Sequence, residues 1–258
     1  MRIVTIDFET YFDKDYSLNK LSTEAYVRDP RFEVHGAAIK WGGDEQARWY
    51  NAAELKILAA SDFANCAVLS HHCQFDGFIL EHHFGIRPSL WLDTLSMARL
   101  LLGNHVAVAL DSLRQHFGLG PKSTPYDRFK GRHYRDLDAD TQRLLADGCC
   151  DEVESIYIIF LELARSFPHE EYQVVDLTIR MFTEPVLRAD IHLLAQLWEQ
   201  EERDKHDRLA SLGVSAGDLA SAQRFGDLLA DAGVEEIGLK QGKNGQIPAF
   251  AKTDAFMR

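Results

Sequence analysis

Asp7 and Glu9, the two acids of "TIDFET", stand one residue apart in a run rich in β-branched and apolar residues. Such a run reads as a strand, and side chains two apart on a strand share a face. The two carboxylates therefore point the same way, where they repel each other and lose hydration if the face is buried. A divalent metal ion would compensate both effects; a strand ending at Thr5 would leave both acids solvated instead. Two further acids bear on the choice. Asp76 in "LSHHCQFDGFIL" comes just after a strand-to-helix junction, either as a helix N-cap or facing a site at the strand ends, where open α/β sheets collect ligands. Asp151 in "LADGCCDEVESIYIIFLELA" reads as the start of an amphipathic helix, with Val153, Ile156, Tyr157, Phe160 and Leu161 on its apolar face and Glu152 and Glu154 on a solvated side. If the helix is continuous, Asp147 one turn earlier shares the face of Asp151. His71 and His72 could ligate a transition metal or bond a substrate, but an oxygen-rich set suits magnesium or manganese better than zinc.

Positioning these acids requires an α/β arrangement. The chain has 258 residues, 46% of them hydrophobic, enough for one large domain with a smaller appendage. "EVHGAAIKWGG" and "QARWYN" read as a hairpin across Gly42, Gly43 and Asp44. "NAAELKILAA" has helical spacing, "CAVLSHH" is a short buried strand, and "DGFILEHHFG" is a helix with Gly85 as its C-cap. From "DTLSMARLLLG" onward the pattern is helical, and beyond His169 it shows no strong strand. A boundary near Phe167-Pro168 divides residues 1–168 from 169–258. The net charge of -12 argues against a wide basic surface that coats nucleic acid, yet leaves room for a small site reaching phosphates through metal ions. Four cysteines without a Cys-x-x-Cys pair, and no stretch long and apolar enough to span a membrane, suggest reduced thiols and a cytoplasmic setting.

"DFET" on the first strand, "HHCQFD" at the junction and "GCCDEVE" on a later helix resemble, in combination, the three motifs of the DEDD superfamily of 3′-to-5′ exonucleases. The resemblance covers roughly residues 1 to 168. It implies a ribonuclease H-like fold, a mixed sheet flanked by helices, with Asp7, Glu9, Asp76 and Asp151 as catalytic acids holding two Mg2+ or Mn2+ ions. Two ions about 3.5–4 Å apart would activate a water and stabilise the leaving 3′ oxygen of a phosphodiester. The family's third motif carries a tyrosine four residues, or a histidine five residues, before its last Asp; Asp147 and Ala146 stand there. Tyr126, His133 or Tyr134 could enter from the preceding segment instead. His72 stands where the second motif often has Asn, Phe75 matches an aromatic that can stack near the terminal base, and Thr10 could bond the terminal nucleotide.

The later stretches "TIRMFTEPVLRADIHLL", "SAQRFGDLL" and "QIPAFAKTDAFMR" resemble the region just after the exonuclease in bacteriophage family A, or polymerase I-like, DNA polymerases, where the thumb begins. By that resemblance the chain proofreads single-stranded or mismatched DNA 3′ ends, in concert with a polymerase palm and fingers in a parent or separate chain. Alternatives are a catalytically weak scaffold that steers primer termini, or an exonuclease that trims RNA. "STPYDRFKGRHYRDL", with Lys130 and Arg132 among its tyrosines, is the one locally basic stretch, and its composition suits contact with a single strand.

Overall fold

The computed structural model describes residues 1–58, 63–103, 105–122, 124–234, 236–243 and 245–257. The last two residues of the "NAAELKILAA" stretch lie outside them. In chain order the first compact unit, Met1–Val186, contains β1 (Arg2–Thr10), α1 (Thr23–Arg28), β2 (Val34–Trp41), β3 (Arg48–Asn51), α2 (Ala52–Leu58), β4 (Cys66–Ser70), α3 (Cys73–Phe84), β5 (Leu90–Asp93), α4 (Thr94–Leu102), α5 (Leu110–His116), α6 (Ala139–Ala164) and α7 (Glu171–Thr183). The sheet order is β3-β2-β1-β4-β5, with β1 antiparallel to β2 and parallel to β4. This is the mixed sheet flanked by helices that the motifs implied.

Alternation along β1 sorts its side chains into two layers. Val4, Ile6 and Phe8 enter one core, with Tyr16, Tyr26, Phe78, Ile79 and Trp91. On the opposite face Ile3 packs with Ala67, Leu69, Ile156 and Ile159, so that α6 lies against the side carrying Thr5, Asp7 and Glu9. Pairing of β1 with β4 runs only from Arg2 to Thr5, and the acidic end of β1 projects beyond its parallel neighbour.

Three expectations change. β5 is a strand in residues given no element, between two stretches read as helices; its Trp91 N–H donates to Asp176 Oδ1 of α7 at 2.7 Å, and Arg180 of α7 donates to the Pro88 carbonyl at 2.8 Å. These bonds bring α7 into the first unit, so the division falls after Val186 rather than near 168. "DADTQRLLADG" and the run after it form a single 26-residue helix through Gly148, capped by Asp138.

The second unit, Leu187–Arg258, holds α8 (Ile191–Leu212), α9 (Ala216–Ala220), α10 (Ala222–Asp231) and a short hairpin of β6 (Leu239–Gly242) and β7 (Gly245–Pro248). Asp190 caps α8, and Gly213 ends it in the left-handed conformation. The hairpin is a strand pair where none was expected; its flanks are held by Phe225 against Phe250, with ring centres 4.9 Å apart, and by Lys240 with Asp254 at 2.6 Å.

Candidate active site

Asp7 and Glu9 share one face of β1, opposite Ala38 and Gly36 of β2. Gly36 is required there, because a Cβ would stand 2.3 Å from the Trp49 ring. Asp76 lies in the first turn of α3 and is 1% exposed; its Oδ1 accepts the Phe8 N–H at 3.1 Å. The residue before that helix, His72, adopts φ 68, a left-handed conformation that non-glycine residues rarely take. Buried Asp93 holds this turn, accepting the His72 N–H at 2.8 Å and the Cys73 N–H at 3.2 Å while also capping α4. Asp76 is thus not an N-cap; the fold commits this acid to the β1 backbone beside Asp7.

The acids of "DEVE" diverge. Asp151 turns to buried Arg114, whose guanidinium contacts it at 2.8 Å and also bonds Ser155 Oγ and the Gly120 and Pro121 carbonyls. Glu154 pairs with buried Lys40 at 3.0 Å and accepts the Ala47 N–H. Glu152 alone enters the site, 3% exposed. The expected placement of Asp151 in the acidic group is therefore corrected to Glu152, because α6 is continuous and its buried stripe runs Leu145, Cys149, Glu152, Ile156, Ile159, Leu163. A charged residue inside that otherwise apolar stripe was the available signal.

Three further residues, of which only Tyr126 was among the sequence candidates, surround these acids. Tyr126, one of the candidates to enter from the preceding segment, donates its hydroxyl to Glu152 Oε1 at 2.5 Å, and Glu9 Oε1 lies 3.4 Å from the same phenol oxygen. Lys122 Nζ contacts Glu152 Oε2 at 2.5 Å. Cys149 Sγ lies 3.5 Å from Asp7 Oδ2. The position four residues before Glu152 is Gly148, where a Cβ would meet Thr124 Oγ1 at 2.3 Å. A large side chain cannot stand there, and the phenol arrives from residue 126 instead. Asp147 is exposed on the outer side of α6.

Burial, reinforced by the charge of Glu152, pushes Asp7 up to about 7, with Lys122 opposing. Burial and the charge of Asp7 push Glu9 and Asp76 well above the carboxylate range. Burial, then Glu9 and Glu152, raise the Tyr126 phenol, which stays a hydrogen-bond donor. Oxygen ligands whose mutual repulsion is incompletely offset suit a hard divalent cation. Ligand atoms of Asp7, Glu9 and Cys149 lie within 4.8 Å of one another, but burial raises the Cys149 thiol, which keeps its proton and donates to Asp7.

Asp7, Glu9 and Glu152 line a cleft of about 380 Å³ together with Thr10, Phe12, Asn19, Tyr26 and Phe75, and Asp76 lies buried behind it. That volume is within the range of small-ligand sites, about 300–1,000 Å³. Thr10 Oγ1 bonds the Tyr26 hydroxyl at 2.8 Å, and Phe75 both lines the cleft and packs on the first core. Residues 124–137 of the basic segment pack beside it: Phe129 is buried, Gly131 N–H donates to the Phe12 carbonyl at 2.7 Å, and His133 bonds Glu33 while stacking on Tyr11. Lys130 is exposed on this segment and Arg132 is half-buried, donating to the Asp136 carbonyl.

Sheet order and flanking helices give a ribonuclease H-like fold, a mixed five-stranded sheet covered by helices. Among solved structures the chain is similar to Brucella melitensis NrnC, with TM-score 0.50 and 17% identity over 73% of this chain and 89% of that one. It is similar also to Trypanosoma brucei RNase D, with TM-score 0.54 and 12% identity over 72% of this chain and 68% of that one. The complex of the latter protein with RNA U12 gives TM-score 0.53, covering 66% of that chain. No protein-family model and no curated protein matches the sequence. No described helix is long and apolar enough to cross a membrane.

Proposed function

We propose that the chain is a metal-dependent 3′-to-5′ exonuclease that releases nucleotides from single-stranded or mismatched DNA ends, the proofreading part of a family A polymerase of bacteriophage type. The observation that carries the nuclease reading is the convergence of Asp7, Glu9, Asp76 and Glu152, the last three of them buried, at the free end of the central strand. These residues would hold Mg2+ or Mn2+, which when bound supplies charge to offset that of the phosphate and a more acidic water. Tyr126, between Glu9 and Glu152, orients the attacking water with its hydroxyl. Phe75 and Phe12 offer apolar faces to a terminal base of any sequence, and Thr10 a hydroxyl to its sugar. His72, exposed at the start of α3, supplies a ring that can donate to the strand. The DNA and polymerase assignments rest on the motif resemblances, including that of residues 169–258 to the start of a thumb.

Digestion of end-labelled oligonucleotides with Mg2+, with Mn2+ and with a chelator tests this reading. Metal-dependent release of nucleotides from the 3′ end is expected, and binding without hydrolysis would leave only a scaffold. A second reading, trimming of RNA, is favoured by the similarity to a protein solved with RNA U12. DNA and RNA substrates run in parallel separate the two.

Two variants probe parts of the site. Tyr126→Phe should lower kcat by about a hundredfold with KM little changed, as measured in steady-state kinetics, because the phenol acts on the attacking water rather than on strand binding. Lys130→Gln with Arg132→Gln should weaken binding and flatten its salt dependence, because each phosphate that is no longer neutralised retains about one counterion. Fluorescence titration at several salt concentrations measures the slope; an unchanged slope removes this segment from the strand path.

A further inference from the structure

Asp93, at the end of β5 opposite Ser70 of β4, is 4% exposed and serves two helices at once. Its Oδ1 accepts the N–H groups of His72, Cys73 and Leu95 at 2.8, 3.2 and 3.2 Å, and its Oδ2 accepts the Ser96 N–H at 3.2 Å and the Ser96 hydroxyl at 2.6 Å. Capping α4 needs only the Leu95 and Ser96 bonds. The bonds to His72 and Cys73 act elsewhere. Among the described residues His72 is the one non-glycine with a positive φ, and its carbonyl accepts the Phe75 N–H at 2.9 Å. That left-handed residue turns the chain from β4 into α3, whose first turn then lays Asp76 against the Phe8 N–H, beyond the last β1–β4 pair at Thr5. A glycine would make the same turn without strain. A histidine keeps it only while neighbouring bonds over-determine it.

We infer that Asp93 is a positioning residue: by clamping left-handed His72 it sets the entry of α3, and so the place of Asp76 beside Asp7, without touching substrate itself. The clamp also lets an imidazole stand where the turn alone would favour glycine. The consequence for turnover rests on the nuclease reading above; the consequence for Asp76 does not.

The test combines hydrogen exchange of the Phe8 amide, followed by NMR, with steady-state digestion. Asp93→Ser keeps a hydroxyl that caps α4 but is too short to reach His72 and Cys73 as well. It should speed exchange of the Phe8 amide by about tenfold or more, because Asp76 no longer stays on that N–H. It should also lower kcat by about tenfold or more with KM little changed, since a displacement of about 1 Å near the chemistry can cost about a hundredfold. In a His72→Gly background, which itself raises KM by removing the ring, the same Asp93→Ser change should move exchange and kcat by less than about threefold, because glycine takes the turn unaided. Asp93→Asn, which keeps one oxygen for the three Oδ1 bonds, should recover most of the loss. If Asp93→Ser fails to fold, His72→Val, a β-branched residue unsuited to a positive φ, should free the Phe8 amide by itself. Equal losses in the His72 and Gly backgrounds, or a Phe8 amide unmoved by both Asp93→Ser and His72→Val, overturn the clamp and leave the nuclease reading intact. A chain whose Phe8 exchange follows the expected pattern but which releases no nucleotide with any metal keeps the clamp and overturns the nuclease reading.

Discussion

Glu152→Gln should lower the rate of 3′ nucleotide release by about a hundredfold or more, while Asp151→Asn lowers it by less than about tenfold. The first removes a buried charge from the reacting end of the cleft, where a single pre-aimed electrostatic group contributes about 10²–10³ in rate. The second alters an acid whose side chain is 48% exposed and which faces Arg114. Exposed ion pairs contribute about 1 kcal/mol or less, and Asn retains an acceptor for the guanidinium, which also keeps Ser155 and two carbonyls. Single-turnover digestion with matched circular dichroism spectra separates lost chemistry from lost fold. The reverse pattern, an active Glu152 variant and an inactive Asp151 variant, would return the fourth acid to Asp151.

Asp7→Asn should abolish activity and yet stabilise the metal-free protein at pH 8. Asp7 rises from an ordinary 3.8 to about 7 in the folded state. The folded chain therefore binds a proton more tightly than the unfolded one, and the contribution of this group to stability falls as pH rises between about 4 and 7. A full shift would correspond to about 4 kcal/mol; Asp7 is only partly buried in the cleft, and on the order of 2 kcal/mol is the expected penalty above pH 7. At about 2–4 °C per kcal/mol for a chain of this size, the variant should melt roughly 5 °C higher at pH 8 and match wild type near pH 4. Mg2+ or Mn2+ should raise the wild-type melting temperature at pH 8 and leave the variant nearly unmoved. A variant that melts lower at every pH would make Asp7 a structural acid.

Much of this site was legible because it depends on local geometry. Two-residue spacing put Asp7 and Glu9 on one face of a strand whatever that strand packed against. The strand-to-helix junction put Asp76 near them, although its bond to the Phe8 N–H depends on where β4 stops and could not be read. The fourth acid depended on the roll of a helix about its axis. Read from the sequence, Asp151 starts a helix; the structure begins α6 at Ala139 and carries it through Gly148, which packs against Thr124, so that Asp151 lies mid-helix and rolls toward Arg114. Lys122 and Tyr126 reach the site across 30 and 26 residues from Glu152, by contacts no spacing rule encodes. β5 was missed because four residues ending in an acid carry little periodic signal; its neighbour α7 covers it through Asp176.

The separation of these parts along the chain also orders their assembly in time. Asp7 and Glu9 are synthesised first, on a strand whose antiparallel partner β2 emerges soon after, but Glu152 arrives only with α6, more than a hundred residues later. Contacts this distant form late and slow the folding of a domain. A divalent ion has no complete cage to seize on a nascent or half-folded chain, and so cannot act as a folding template. It should instead act as a latch, slowing the unfolding rate while leaving the folding rate almost untouched.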